Sequence, residues 1–364
     1  MDSLIFLIVV LLVVLGFTLT NGFHDAANAI ATVVSTKVLT PRQAVILAAV
    51  TNFIGALGGT AVAKTIGAGM VDAHFITIHT VFCAMVGGII WNLLTWYYGI
   101  PSSSSHALIG GLLGAALASA KNNWDVILWS YPKVDPHTGR VTMEGIYHKV
   151  IIPMLSSPVL GFVAGFLLMG VLLAIIRSWR PIWVNRIFGK AQLVSASYMG
   201  WAHGFADGQK TMGIMALALF AASSSVDWDH APAALHFLHT PKFEIATWVK
   251  WTCGSAMAIG TYVGGWRIIH TLGHKLVRIK PVHGFAAECT GATILFIAGV
   301  FGMPVSTTHA ITTSIMGVGC ARRFSALNYS LVERILWTWL FTIPATFGIA
   351  YVLMRLMAAA GLAG

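Results

Sequence analysis

Charge is what this chain has least of. Asp, Glu, Lys and Arg together make up 9% of its 364 residues, against about 25% in soluble domains. That is too little to coat a globule of this size, which excludes an ordinary water-soluble enzyme. Acidic residues are the scarcest, 12 Asp and Glu against 22 Lys and Arg, so a carboxylate inside an apolar run calls for an explanation. Cysteine is scarce as well. Cys83, Cys253, Cys289 and Cys320 are isolated, mostly inside apolar runs, with no C-x-x-C, and read as small packed residues rather than a disulfide framework or zinc site. The apolar stretch 3–20 lacks a basic start and runs straight into the first motif described below, so it is expected to be retained rather than cleaved.

What the chain does have is apolar length: 57% of it is hydrophobic. Apolar segments are expected at about 3–36, 43–63, 76–99, 146–177, 192–222, 245–266, 284–302 and 331–357, with breaks near 21–28 and 204–210. The stretches 100–120 and 303–320 are rich in Gly, Ser and Thr and too short for a comfortable crossing. Each reads as opening with a re-entrant hairpin tip, which membrane depth tolerates only when it is buried in protein or lines a cavity. The fold class is an all-α polytopic protein of the lipid bilayer, with roughly ten to twelve embedded segments counting half-helices. The region 121–149, with Pro132, Asp135, Pro136 and Gly139, reads mainly as a polar excursion. The net charge of +10 gathers in loops, at Arg177, Arg180, Arg186 and Lys190 and again at Arg267, Lys275, Arg278 and Lys280. That placement is the positive-inside signal, and without a basic stripe alternating with exposed aromatics it gives no nucleic-acid partner.

Two phrases occur twice. Gly22-Phe23-His24-Asp25-Ala26-Ala27-Asn28 returns as Gly204-Phe205-Ala206-Asp207-Gly208-Gln209-Lys210, and Pro101-Ser102-Ser103-Ser104-Ser105-His106 returns as Pro304-Val305-Ser306-Thr307-Thr308-His309. Duplicated polar breaks in a hydrophobic chain point to a secondary transporter with its site near the midplane. The order within each half matches: broken helix, two spans, Pro-Ser/Thr hairpin. The division expected is a first repeat over 1–130, an excursion with a membrane helix and basic loop over 131–191, and a second repeat over 192–364. The basic loops make the repeats inverted, with the 100–106 tip approaching the midplane from the cytoplasm and the 303–309 tip from outside.

Asp25 and Asp207, beside the expected breaks, are candidates to neutralise a coupling cation or carry a proton. Asn28 shares the helix face of Asp25 and offers an amide. Lys210 takes the equivalent place after Asp207, either holding an anion or pairing with that carboxylate. Ser103, Ser104 and Ser105, with Ser306, Thr307 and Thr308, make two hydroxyl cradles behind prolines, suited to a tetrahedral oxyanion or to ordinary helix capping. Glu288 is a third cation or proton candidate, without an acidic counterpart in the first half. His24, His106 and His309 read as proton carriers or structural donors. No metal site is certain, and no cofactor is expected beyond the coupling ion, Na⁺ or H⁺.

At these four motifs the chain resembles the inorganic phosphate transporter (PiT) family, over roughly residues 16–350. That family carries a duplicated G-x-N-D-x-x-N-like and a duplicated P-x-S-[ST]-[ST]-H-like signature in this order. Ala206 stands where the second motif usually has Asn, and His24 where many members have it, substitutions that bear on cation selectivity. The resemblance implies import of inorganic phosphate, free or as a metal–phosphate complex, by Na⁺ or H⁺ symport through alternating access. It also implies a low-affinity permease of the bacterial cytoplasmic (inner) membrane, working as a homodimer and not as an enzyme. The competing readings are a carrier of sulfate or arsenate, a passive anion channel, an intramembrane aspartyl protease using Asp25 and Asp207, and a Ser105–His106 hydrolase. The protease leaves the duplicated hydroxyl tips without a role, and adjacent Ser and His rarely meet in catalytic geometry.

Overall fold

The computed structural model describes residues 2–134, 139, 141–321 and 323–362; Asp135 and Pro136 of the expected excursion lie outside the described residues. The first half runs α1 (Asp2–Ser35), α2 (Pro41–Ala56), α3 (Ala61–Ala68), α4 (Ile78–Tyr97) and α5 (Ser104–Ser119). An antiparallel hairpin, β1 (Tyr131–Val134) with β2 (Val141–Glu144), forms the polar excursion and leads to α6 (Ile152–Ile176). The second half runs α7 (Pro181–Ala222), α8 (Thr247–Val263), α9 (Trp266–His270), α10 (Pro281–Val300), α11 (Thr307–Cys320) and α12 (Tyr329–Ala359). Among the described residues five helical stretches are long and apolar enough to cross a membrane, or six if the bent α2–α3 pair is counted as one span. The chain is a multi-pass membrane protein.

The helices carrying the first motif pair are not broken, contrary to expectation. α1 continues through 22–28 and α7 through 204–210. Their glycines serve close approach instead: a Cβ on Gly22 would lie 2.4 Å from the Met257 carbonyl of α8, and one on Gly204 2.1 Å from the Asn52 carbonyl of α2. The breaks fall in the helices that these glycines touch. α2 and α3 are bent by 72° around residues 57–60, and α8 stops at Gly264, whose φ of 74° is left-handed. The freed N–H of Val62 in the first turn of α3 donates to Gln209 Oε1 at 2.9 Å. One motif helix thus caps the broken helix beside it.

The expected basic loop at 177–190 is mostly helix. Pro181 suits the first helical position, Arg186 lies over the Trp183 ring at 5.9 Å, and α7 continues for 42 residues. At 1.5 Å per residue that is about 63 Å, roughly twice a bilayer core, so its cationic start extends past the apolar part.

α4 and α5 form one helical hairpin, α10 and α11 another. Ser103 and Ser306 are the N-caps of the second arms, accepting the N–H groups of His106 and His309 at 3.2 Å each. α5 packs chiefly on α12 and α11 on α6, while α2 packs on α7 and α8 on α1. Apolar burial divides into two clusters. One takes Leu4 to Phe17 of α1 and Met212 to Ala222 of α7; the other takes Ala27 to Val33 of α1 and Phe188 to Ala206 of α7. The polar motif residues lie in the layer between them.

Alanine at Gly22 or Gly204 must force apart two backbones already in contact. Overpacking of this kind costs about 1–3 kcal/mol. Both variants are expected to unfold at lower temperature in detergent, whereas Gly170→Ala, whose Cβ would meet nothing within 4 Å, leaves the melting temperature unchanged.

Candidate functional site

α1 and α7 bring the two motif carboxylates to one place. Ligand atoms of Asp25, His203 and Asp207 all lie within 4.8 Å of one another, in residues at most 1% exposed. His203 precedes Gly204 by one residue and escapes a motif read from the glycine onward. Its mark in the sequence was its place one helical turn before Asp207, which shares a helix face with it. Asn52 of α2 fixes the ring: its Oδ1 lies 2.9 Å from His203 Nδ1, while its amide donates to Thr261 of α8 at 2.9 Å. That leaves Nε2 facing Asp207 Oδ2 at 3.4 Å.

The second hairpin tip closes over both carboxylates. Thr307 donates to Asp207 Oδ2 at 3.1 Å and Thr308 to Asp25 Oδ1 at 3.3 Å. Asn28 donates to both threonine hydroxyls, at 3.2 and 3.0 Å. His24 lies with Nδ1 at 2.9 Å from Asp25 Oδ1 and Nε2 at 3.1 Å from the Thr95 hydroxyl, with Ser102 at 3.3 Å. It ties the α1 carboxylate to the first hairpin.

Lys210 is as buried as the aspartates. Its ammonium donates to Asp207 Oδ1 at 2.5 Å, to the Val305 carbonyl at 2.8 Å and to the Ser105 hydroxyl. An ammonium has three protons, and all three are engaged in this structure. The oxygens of Ser103 and Ser306 are likewise taken up by capping, which narrows the expected hydroxyl cradle. Ser104 remains: its Oγ lies beside Asp25, and neither it nor Asp25 Oδ2 has a hydrogen-bond partner from any other side chain. A buried polar atom left unpaired costs about 1–3 kcal/mol, which makes this layer the candidate place for a ligand.

Three expected residues stand differently. His106 and His309 meet edge to face at 4.6 Å where the hairpins touch, and His309 stacks on Trp339 of α12 at 3.8 Å. Glu288 of α10 is not brought to the carboxylate pair. It accepts from Thr32 at 2.5 Å, from Gln192 at 2.9 Å and from Ser195. Thr32 lies about 10 Å further along α1 than Asp25.

Removing Lys210 alone strands the Asp207 charge, at a cost of about 3–5 kcal/mol for a broken buried pair. Lys210→Met is expected to lose most folded protein on size-exclusion chromatography. Adding Asp207→Asn removes the stranded charge and restores the monodisperse peak.

Residues 21–350 match the phosphate transporter family (PHO4). Over 363 residues the chain is 42% identical to the "Probable low-affinity inorganic phosphate transporter" of Bacillus subtilis (strain 168), covering 98% of this chain and 100% of that one. It is 44% identical over 339 residues to the protein of the same name from Rhizobium meliloti (strain 1021), covering 92% and 91%. The fold is similar to a solved structure described as "The sodium-dependent phosphate transporter", with a TM-score of 0.79 at 20% identity, over 97% of this chain and 99% of that one. These relatives are named as transporters rather than enzymes, and with four ordered motifs converging on one buried layer, the chain belongs to the phosphate transporter family.

Proposed function

We propose that the protein moves inorganic phosphate across the bacterial cytoplasmic membrane together with a cation, by exposing one buried layer alternately to the two faces. The observation that carries this reading is the carboxylate–imidazole cluster of Asp25, His203 and Asp207 beneath two hydroxyl-bearing helix N-termini. Two carboxylates face one lysine, and phosphate adds one or two further negative charges. Between two apolar clusters such an excess is prohibitive, so the anion can enter only with cations. Carboxylate and hydroxyl oxygens suit a hard cation, and the sodium dependence named for the similar solved structure supports Na⁺.

The anion side of the layer is supplied by Ser104 and by the N-termini of α5 and α11, where backbone N–H groups and the helix dipole favour negative charge. Arsenate and sulfate share that geometry; the names of the relatives favour phosphate.

For alternating access we infer inverted repeats, α1–α5 with α6 and α7–α11 with α12. Three features support this: α6 packing on α11 as α12 packs on α5, matched helix breaks beside Gly204 and Gly22, and hairpin ends that face opposite ways. The Tyr97 carbonyl before the first tip accepts from Arg267 of the basic stretch, whereas Phe301 at the second accepts from Lys149 beside the β-hairpin at 3.1 Å.

Phosphate uptake into proteoliposomes, driven separately by an imposed Na⁺ gradient and an imposed pH gradient, tests the proposal. Concentrative uptake is expected under the Na⁺ gradient and is expected to vanish in Asp25→Asn and Asp207→Asn. Accumulation that needs neither gradient, or survives both substitutions, overturns it. Ser104→Ala is expected to raise the apparent KM for phosphate about ten- to a hundredfold, the cost of one hydrogen bond to a charged acceptor, with protein abundance unchanged.

A further inference from the structure

A cationic cavity of about 830 Å³ lies outside the central layer, at the base of the second hairpin. Its wall combines the segment entering α10, the end of α11 and the turn entering α12. Lys275, Arg278, Lys280 and Arg323 line it, all exposed. No carboxylate lines it, and among the described residues none of these four forms an ion pair with one. Like charges held together without a counter-charge repel and raise the local positive potential, so such a cluster attracts an anion.

The walls are built rather than loose. Asn328 donates its backbone N–H to the Leu276 carbonyl at 3.1 Å and its amide to the Lys275 carbonyl at 3.3 Å, which ties the two cationic strips across the cavity. Asn328 also caps α12, accepting the Leu331 N–H, and Lys280 donates its N–H to His283 Nδ1 at 2.9 Å. The N-termini of α10 and α12 therefore both open here, adding positive potential that offsets the helix C-termini at Lys275 and Cys320. Gly319 in the wall lies about 18 Å along α11 from Thr307, too far to share the central ligand.

We propose that this cavity is a second anion site, taking a phosphate-bearing group held by Arg278, Lys280 and Arg323 with Lys275 at the rim. Arginine pairs with phosphate oxygens in bidentate geometry and lysine as a point charge. Two sources carry that chemistry. Phe324 and Tyr329 flank the cavity at 61% and 58% exposure, the aromatic placement of headgroup depth, which suits the headgroup of an anionic lipid wedged between helix ends. A soluble phosphate compound would reach the same cations from the water side.

The test uses the full-length protein and the variant Arg278→Gln/Lys280→Gln/Arg323→Gln, none of whose residues lies in the central layer. Cardiolipin is titrated into phosphatidylcholine nanodiscs, and pyrophosphate is titrated separately against detergent-purified protein, each read by thermal shift and by ligand retained per chain. At least one probe is expected to bind the wild type and to bind the variant on the order of a hundredfold more weakly, from about 1 kcal/mol per cation. Gradient-driven phosphate uptake is expected to persist in the variant. Binding by cardiolipin alone identifies a lipid headgroup, and binding by pyrophosphate alone a soluble phosphate. Equal binding of both probes by the two proteins overturns the proposal. Should the triple variant not fold, Arg278→Gln and a salt titration of the wild type take its place, and binding unmoved by either overturns it equally.

Discussion

A carboxylate taken out of water must be neutralised, and the middle of this molecule is arranged around that constraint. Asp207 is fully buried and held by Lys210, Thr307 and the facing edge of His203. Asp25 has His24 and Thr308, with Ser104 beside it and no other side chain bonded to its second oxygen. Desolvating a charge without a partner costs several kcal/mol, which explains why the polar side chains near the pair are gathered from several elements. α1, α7 and both hairpin tips each contribute, and none could supply the layer alone. The two apolar clusters on either side supply the packing energy that holds such a layer in place.

The second tip, which donates to both carboxylates, is also the N-terminus of α11, so in the proposed transport cycle any movement of that hairpin would change the coordination of the layer. The hairpins are backed by α12 and α6, the helices most exposed to the surroundings, while the close glycine contacts of α1 with α8 and of α7 with α2 give them a firm partner to move against. Glu288 belongs to that firm part. With donors from α1 and α7 on its two oxygens, it reads as a satisfied buried carboxylate linking three helices.

Much of this was legible in the chain. Scarce charge and long apolar runs gave a polytopic helical protein, and two duplicated phrases marked Asp25, Asp207 and the Ser/Thr tips as belonging together. The break near 21–28 was misplaced because glycine signals either a helix interruption or a close contact, and the local sequence is the same for both. The partner helix, with Met257 or Asn52 facing the glycine, distinguishes them. Likewise 177–190 read as a loop from its cations, yet Pro181 opens a helix at its first position and α7 runs on from there beyond the apolar zone.

What the sequence determined by itself is which residue types must leave the lipid and how they repeat, because periodicity and polarity are properties of neighbours along the chain. Tertiary structure alone decided the partners: Lys210 with Asp207 and Ser105, His203 with the carboxylate pair, Glu288 with Thr32 and Gln192. Most of those pairings join residues from separate helices. They are set by which helix faces pack and how closely, a competition among all the apolar surfaces at once that no local stretch records.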